Sequence, residues 1–322
     1  MIRTAVLVSL LAALLWASDA SAQLTPDKTY YGINRPMAMT VAAPDGVDAD
    51  GLSVALLRAV SAEVVESAPV AAGRVDLASL FPALWSRQET PLLYAQLMAG
   101  DEKIGPAVVL APMVTPPNAV IVPGPRPSVR WEPSQPVYTG VKAWVDRDII
   151  METSEGPIRF RMRPDQATNT CMEIMALVDG GFYEGIIFHR IMPNFVIQAG
   201  DPIGQGVGGS GKMFDLEPSA LPHDFGVLSM ARTNQPNTNG SQFFVCLSRQ
   251  GTQGLDGDYC AFGEAIEGAD AIRAIAAVAT DPRTNRPTGD APRIVSARLE
   301  DAAPYGTGPA PVSQAQAAPS PR

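Results

Sequence analysis

The stretch FHRIMPNFVIQAGD (188–201) sets His189, Arg190, Gln198 and Asp201 among bulky apolar residues. It contains no Ser, Cys, Lys or Glu to act as nucleophile or general base. Downstream, TNQPNTNGSQ (233–242) is dense in amides and hydroxyls and runs directly into the apolar FFVC (243–246). Taken alone, these residues leave open which reaction they support.

Other kinds of site are easier to exclude. GQGVGGSG (204–211) fits G-x-G-x-x-G through Gly204, Gly206 and Gly209. A dinucleotide site needs a helix to open at once after this pattern, so that its N-terminus meets the pyrophosphate. The following KMFDLEPSALPHDFG carries Pro218 and Pro222 and cannot form that helix, so the run reads as a mobile glycine-rich loop. A metal centre needs several ligands at fixed spacing. The two histidines are His189 and His223, and no H-x-x-x-H or C-x-x-C occurs, so neither metal nor cofactor is expected. Ser241 lacks a G-x-S-x-G context. The formal glycosylation sequon at 239–241 reads more simply as an Asn-Gly turn before a strand.

The 322-residue chain has room for two domains, and at 46% hydrophobic it can bury a core. A net charge of −9 with no basic run argues against a nucleic-acid partner. The N-terminus has a positive n-region at Arg3, an apolar run from Val6 to Trp16, and the small-residue pattern Ala20-Ser21-Ala22 before Gln23. The run is shorter than the ~18–20 residues of a spanning helix. Residues 1–22 therefore read as a cleaved signal peptide, and the protein as exported, periplasmic or extracellular and of bacterial type, without stable membrane insertion after cleavage. Cys171, Cys246 and Cys260 are too few for a disulfide framework and sit in apolar surroundings, so buried thiols are expected, with a Cys246–Cys260 bridge left open.

The elements that position these residues fall in two blocks. Residues 23–111 read as short strands, with Met37, Met39 and Val41 on one face and a hairpin turning at Gly100-Asp101. A small β-sandwich of immunoglobulin-like type is expected on pattern alone, with DLASLFPALW (76–85) as a helical interruption. Proline recurs over 112–140, which reads as an extended linker. Residues 141–302 carry two strands around Ser154-Glu155-Gly156, an amphipathic helix with Cys171, Ile174, Met175 and Leu177/Val178 at helical spacing before Gly180, a second helix with Ile272, Ile275 and Ala276 on one side, and β-type runs between them. The Ala/Pro/Ser-rich segment 303–322 reads as a disordered tail.

The combination FHRIMPNFVIQAGDP, the glycine loop, GVLSMARTNQPNTNGSQFFVCLS and LDGDYCAFGEAIEG resembles the cyclophilins, the cyclosporin-type peptidyl-prolyl isomerases, over about residues 145–300. The resemblance implies a closed eight-stranded antiparallel β-barrel with a helix over each end, a mainly β fold overall. It also implies an isomerase needing no cofactor, whose partners are proline-containing polypeptides. An X-Pro bond rotates over a barrier of ~18–20 kcal/mol. No bond is cut, so neither nucleophile nor base is required.

By resemblance, Arg190 is the catalytic arginine, whose guanidinium stabilises the twisted amide. Gln198 holds that arginine and the substrate backbone, Phe195 and Val196 wall the pocket, and Phe244 forms its floor. Leu255 and Tyr259 line its side, and Ala231 and Gln242 line the groove. Each of the apolar residues alone would read as core. His189 is assigned a structural role, and Asp201 and Asp256 are turn residues. Gly254 stands where the family often has Trp, which implies weak cyclosporin affinity, and Tyr259 where it often has His.

The expected function is isomerisation of X-Pro bonds in exported proteins. The rival is a non-catalytic barrel that binds proline-containing segments in the cell envelope. A third reading makes the sandwich the functional half, as an adhesion or carbohydrate-binding module.

Overall fold

A computed structural model describes residues 24–43, 51–86, 91–124, 128–135 and 137–314. The expected signal peptide (1–22) lies outside them.

The first half runs β1 (Leu24–Pro26), β2 (Tyr30–Gly32), β3 (Ala38–Val41), β4 (Leu52–Arg58), β5 (Val64–Pro69), β6 (Gly73–Asp76), the single turns α1 (Leu77–Leu80) and α2 (Ala83–Ser86), β7 (Leu93–Ala99), β8 (Glu102–Val114), β9 (Asn118–Val122), β10 (Ser128–Glu132) and β11 (Tyr138–Val145). A six-stranded antiparallel sheet in the order β2-β11-β8-β7-β4-β5 faces a three-stranded sheet β1-β3-β6. Between them lies a core that includes Met37, Met39, Val41, Leu52, Val54, Leu97 and Leu110. The sandwich is thus six strands against three, not the three against four of an immunoglobulin constant domain. Strands β4, β7 and β8 are apolar on both faces because the larger sheet is covered twice. Ala55, Leu57, Tyr94 and Val109 form a second cluster on its far side, with Trp144 and Tyr305 packed against it.

Two expectations need correction here. Residues 112–140 are not an extended linker. Strand β8 continues to Val114, β9 and β10 pair as a hairpin with Val129 opposite Ile121, and β11 returns into the first sheet between β2 and β8. Pro116, Pro117, Pro123 and Pro133 fall between strands. Pro112 lies in β8 beyond Leu110, where the paired length of β7 has ended, so its missing N–H breaks no ladder on that side. The first sheet therefore extends through Val145, and barrel pairing begins at Arg147 rather than 141. Residues 303–314 are not a free tail either. The Tyr305 ring stacks on Tyr94 with centroids 3.5 Å apart, its backbone N–H donates to Gln96, and its hydroxyl accepts from Val60 N–H. Average composition hides this, since one aromatic among Ala, Pro and Gly suffices to anchor the segment.

The second half runs β12 (Arg147–Thr153), β13 (Gly156–Met162), α3 (Thr168–Asp179), β14 (Arg190–Met192), β15 (Val196–Ala199), β16 (Val227–Met230), β17 (Phe243–Cys246), α4 (Arg249–Thr252), β18 (Ala261–Glu267), α5 (Ala269–Ala276) and β19 (Ile294–Asp301). Its eight strands form one curled antiparallel sheet in the order β14-β15-β17-β16-β18-β13-β12-β19. The seam between first and last strand is closed by the bridge Ile187–Arg293 rather than by a ladder. Phe160, Phe188, Phe243 and Phe262 fill the interior. Helix α3 packs on β18 and β19 through Cys171, Ile174, Met175 and Val178, and α5 packs on β13 to β15 through Ala271, Ile272 and Ile275. Each such fully buried aliphatic side chain is worth ~1.5–3 kcal/mol.

Helix α3 has no side-chain cap of its own at Ala167. The Glu217 carboxylate supplies one from a distant loop, accepting from the backbone N–H of Asn169 and Thr170 and from the Thr170 hydroxyl. All three cysteines are free and buried. Burial pushes their thiols up, Cys260 to about 12, so they are poor nucleophiles.

Candidate active site

Strand alternation builds the site. Along β14 to β17, Ile191, Ile197, Phe243, Val245, Leu228 and Met230 point into the barrel core. The residues between them must face outward. Register then sets Arg190 opposite Gln198, Gln198 opposite Phe244, and Phe244 opposite Ser229, one row across four strands. The turn that joins β14 to β15 carries Asn194 at φ +61°, a conformation Asn tolerates better than most residues.

On this outer face Val196, Leu221, Val227, Phe244, Cys246 and Ala261 form a compact apolar cluster, with Phe195, Ala231, Leu255 and Tyr259 packed against it. Phe244 is only 5% exposed and forms the floor. The Tyr259 ring meets it edge-on at 5.8 Å. Beside the apolar patch runs a chain of polar bonds. The Arg190 guanidinium donates to Gln198 Oε1 at 3.1 Å, Gln198 Nε2 donates to Gln242 Oε1 at 2.9 Å, and Gln242 Nε2 donates to Gly208 O at 2.8 Å. All nine residues expected from the sequence therefore meet on one face. A groove of ≈ 500 Å³ continues from it past Gln198, Gln242 and Ala231 along the glycine-rich loop.

The glycine-rich loop is organised around a carboxylate. The Asp201 carboxylate accepts from the backbone N–H of Ile203, Gln205, Gly206 and Val207. Burial would raise this carboxyl, but the ring of N–H donors outweighs it and holds the group below the usual carboxylate range. The glycines wrap an internal carboxylate instead of a phosphate. A Cβ on Gly208 would lie 2.2 Å from Asp201 Oδ1, which is why the chain needs glycine there. His189 is buried against this loop, its ring 3.6 Å from the space a Gly206 Cβ would fill, and it does not join the polar row. Asn239 is wholly buried and its Nδ2 donates to Asp215 O, so the sequon is not open to glycosylation.

Sequence reasoning gave no role to Arg232 or His223 and read Asp256 as a turn residue only. Arg232, next to Ala231, lies 4.5 Å above the Tyr259 ring and donates to Asp258 O through Nε and Nη2. His223 lies behind Phe244 with ring centroids 6.1 Å apart. Its Nδ1 is 3.0 Å from Asp256 Oδ1 and its Nε2 3.0 Å from Ser229 Oγ. Burial lowers the His223 pKa despite Asp256, so the ring is neutral: Nδ1–H donates to the carboxylate and Nε2 accepts from the hydroxyl. Burial would raise Asp256, yet bonds from Arg249 and His223 hold it far below its ordinary value. Arg232 was visible as a cation adjoining a groove residue, whereas the place of His223 depends on packing from a distant loop.

An antiparallel barrel that carries an apolar pocket beside an Arg–Gln–Gln row on its outer wall has the architecture of a cyclophilin-like protein. The family model described as cyclophilin type peptidyl-prolyl cis-trans isomerase/CLD matches residues 148–299. A peptidyl-prolyl cis-trans isomerase-like 1 of Neurospora crassa is 40% identical over 157 residues, covering 47% of this chain and 93% of that protein. A peptidyl-prolyl cis-trans isomerase of Arabidopsis thaliana is 40% identical over 145 residues, covering 44% and 86%. Among solved structures, a cyclophilin-type isomerase of Cryptosporidium parvum, crystallised in the presence of the dipeptide Ala-Pro, is 34% identical and covers 48% of this chain and 98% of its own, with a TM-score of 0.45. The chain belongs to the cyclophilin-type peptidyl-prolyl cis-trans isomerase family, and isomerase activity is supported.

Proposed function

We propose that the barrel catalyses rotation about X-Pro bonds in exported polypeptides, with Arg190 as the electrostatic catalyst. The observation that carries this reading is the fixed guanidinium of Arg190, bonded to Gln198 at the edge of the Phe244 pocket. A proline ring seated on Phe244 and flanked by Phe195, Leu255 and Tyr259 is gripped by shape and burial. As the amide twists, resonance is lost and the electron pair localises on the prolyl nitrogen. A donor held beside that nitrogen stabilises the twisted state more than the planar one, and that difference accelerates rotation. Gln242 and the groove beyond it hold the flanking peptide.

Export rests on the N-terminal pattern of Arg3, the apolar run and Ala20-Ser21-Ala22. The open rim at Gly254, where a Cβ would meet nothing within 4 Å, supports weak cyclosporin affinity. A proline-peptide isomerisation assay tests the activity. Wild type should accelerate exchange, and Arg190→Ala should lower kcat/KM by roughly 10²–10³-fold. Peptide binding with no wild-type rate above background would instead establish the non-catalytic module. N-terminal sequencing of the mature protein, expected to begin near Gln23, tests export.

A further inference from the structure

The β9–β10 hairpin leaves the first half of the chain and packs on the barrel, with Ala119 buried among the barrel's core residues and Val129 and Trp131 against them. A specific polar contact joins it to the pocket loop: the Val129 backbone N–H donates to Asp258 Oδ1 at 2.8 Å. Asp258 lies between two residues of the proline pocket. Its own N–H and that of Tyr259 both donate to Leu255 O at 3.1 Å, closing the turn that presents Leu255 and Tyr259. Its carbonyl accepts the two bonds from Arg232, whose guanidinium covers the Tyr259 ring. The same turn is held from the barrel side by Asp256, whose carboxylate accepts from His223 and Arg249, so Asp258 is its link to the hairpin.

We propose that Asp258 is a positioning residue through which the hairpin of the N-terminal half fixes Leu255 and Tyr259 against Phe244, so that this half sets how tightly the barrel grips proline. The inference rests on the isomerase reading above. Three linked contacts form the path: hairpin N–H to carboxylate, Asp258 carbonyl to Arg232, and Arg232 to Tyr259. The hairpin end of this path is the Val129 N–H, and because Val129 also packs on the barrel core, Val129→Ala, which keeps the N–H, serves as the packing control. The Val129 N–H points to Asp258 and so is not part of the β9–β10 ladder, and among the described residues β10 pairs only with β9. Proline at 129 removes that donor without breaking a ladder bond.

The test uses the full chain as wild type, Asp258→Ala, Asp258→Asn, Val129→Pro and the double variant Asp258→Ala/Val129→Pro. A proline tetrapeptide assay resolves kcat from KM, and amide hydrogen exchange follows residues 253–259. Asp258→Ala and Val129→Pro should each raise KM by roughly three- to tenfold, with kcat within about twofold, and speed exchange in the turn. Asp258→Asn keeps an acceptor oxygen and should restore KM. The double variant should be no worse than either single one. Unchanged KM and exchange in the single variants, additive effects, or failure of Asn to rescue would overturn the proposal. Should wild type prove inactive, the isomerase reading falls, and hydrogen exchange in Val129→Pro still decides whether the brace exists.

Discussion

Arg190 and Gln198 are directly opposed in the β14–β15 ladder, and the guanidinium donates to the Gln198 amide oxygen at 3.1 Å. The arginine is thus held by a side chain one strand away, and that side chain is itself held by Gln242. Gln198→Ala removes the orienting acceptor while leaving the cation. A hydrogen bond to a charged group is worth ~1.5–3 kcal/mol, which corresponds to a loss of roughly 10–100-fold in kcat/KM. Gln198→Glu keeps an acceptor and should retain more activity than the alanine variant. Steady-state isomerisation rates check both, and equal losses in the two would sink the orienting role.

The pocket floor and its side should separate stability from binding. Phe244 is nearly buried, so Phe244→Ala is expected to destabilise the barrel by about 3 kcal/mol, the low end for a core aromatic, because one side of the ring borders solvent. Leu255 is half-buried on a turn, so Leu255→Ala should cost less than ~1 kcal/mol of stability while raising KM. Urea denaturation beside peptide kinetics distinguishes the two.

Acid should loosen the fold through its histidines. Burial lowers the pKa of both His189 and His223. The unfolded chain, with histidines near 6.5, then binds protons more readily than the folded one. Stability is full above that value and is lost as pH falls from about 6.5 towards the folded pKa values. Asp146, raised by burial to about 8, gains stability on acidification and opposes this, so the histidine contribution is read as a difference: the stability margin of wild type over His223→Gln should shrink from pH 8 to pH 5. A margin between wild type and His223→Gln that does not change with pH over this interval would contradict the assignment.

Tyr305 ties the two halves together. Tyr305→Ala removes the stack on Tyr94 and the bond to the Val60 N–H, roughly 2–3 kcal/mol of contact in all. Calorimetry should show the halves unfolding less cooperatively, as a broadened or split transition, while isomerase activity at 25 °C remains.

Some of this was legible in sequence because local pattern and final environment agree. The β12–β13 hairpin around Ser154-Glu155-Gly156, the helix α3 closed at Gly180, and the β7–β8 turn at Gly100 each follow from periodicity and turn chemistry. The site was legible for a different reason. Arg190, Gln198, Phe244 and their neighbours are far apart in sequence, and only the ordered recurrence of motifs brought them into one reading. What stayed hidden depends on distant partners. The β9–β10 strands alternate properly, as NAVIV and SVRWE show, but the surrounding prolines masked them. The Asp201 carboxylate at the centre of the glycine loop and His223 behind Phe244 are placed by contacts that no local window contains.

The stack of Tyr305 on Tyr94 also fixes an order of events. Tyr94 belongs to the first half, which includes every strand through β11, whereas Tyr305 follows the last strand of the barrel. A chain emerging from the ribosome can complete each half before Tyr305 is available. This clamp therefore closes only after β19 is complete, and a product cut short after Asp301 would keep the hairpin contact at Val129 and Asp258 but lose the stack on Tyr94.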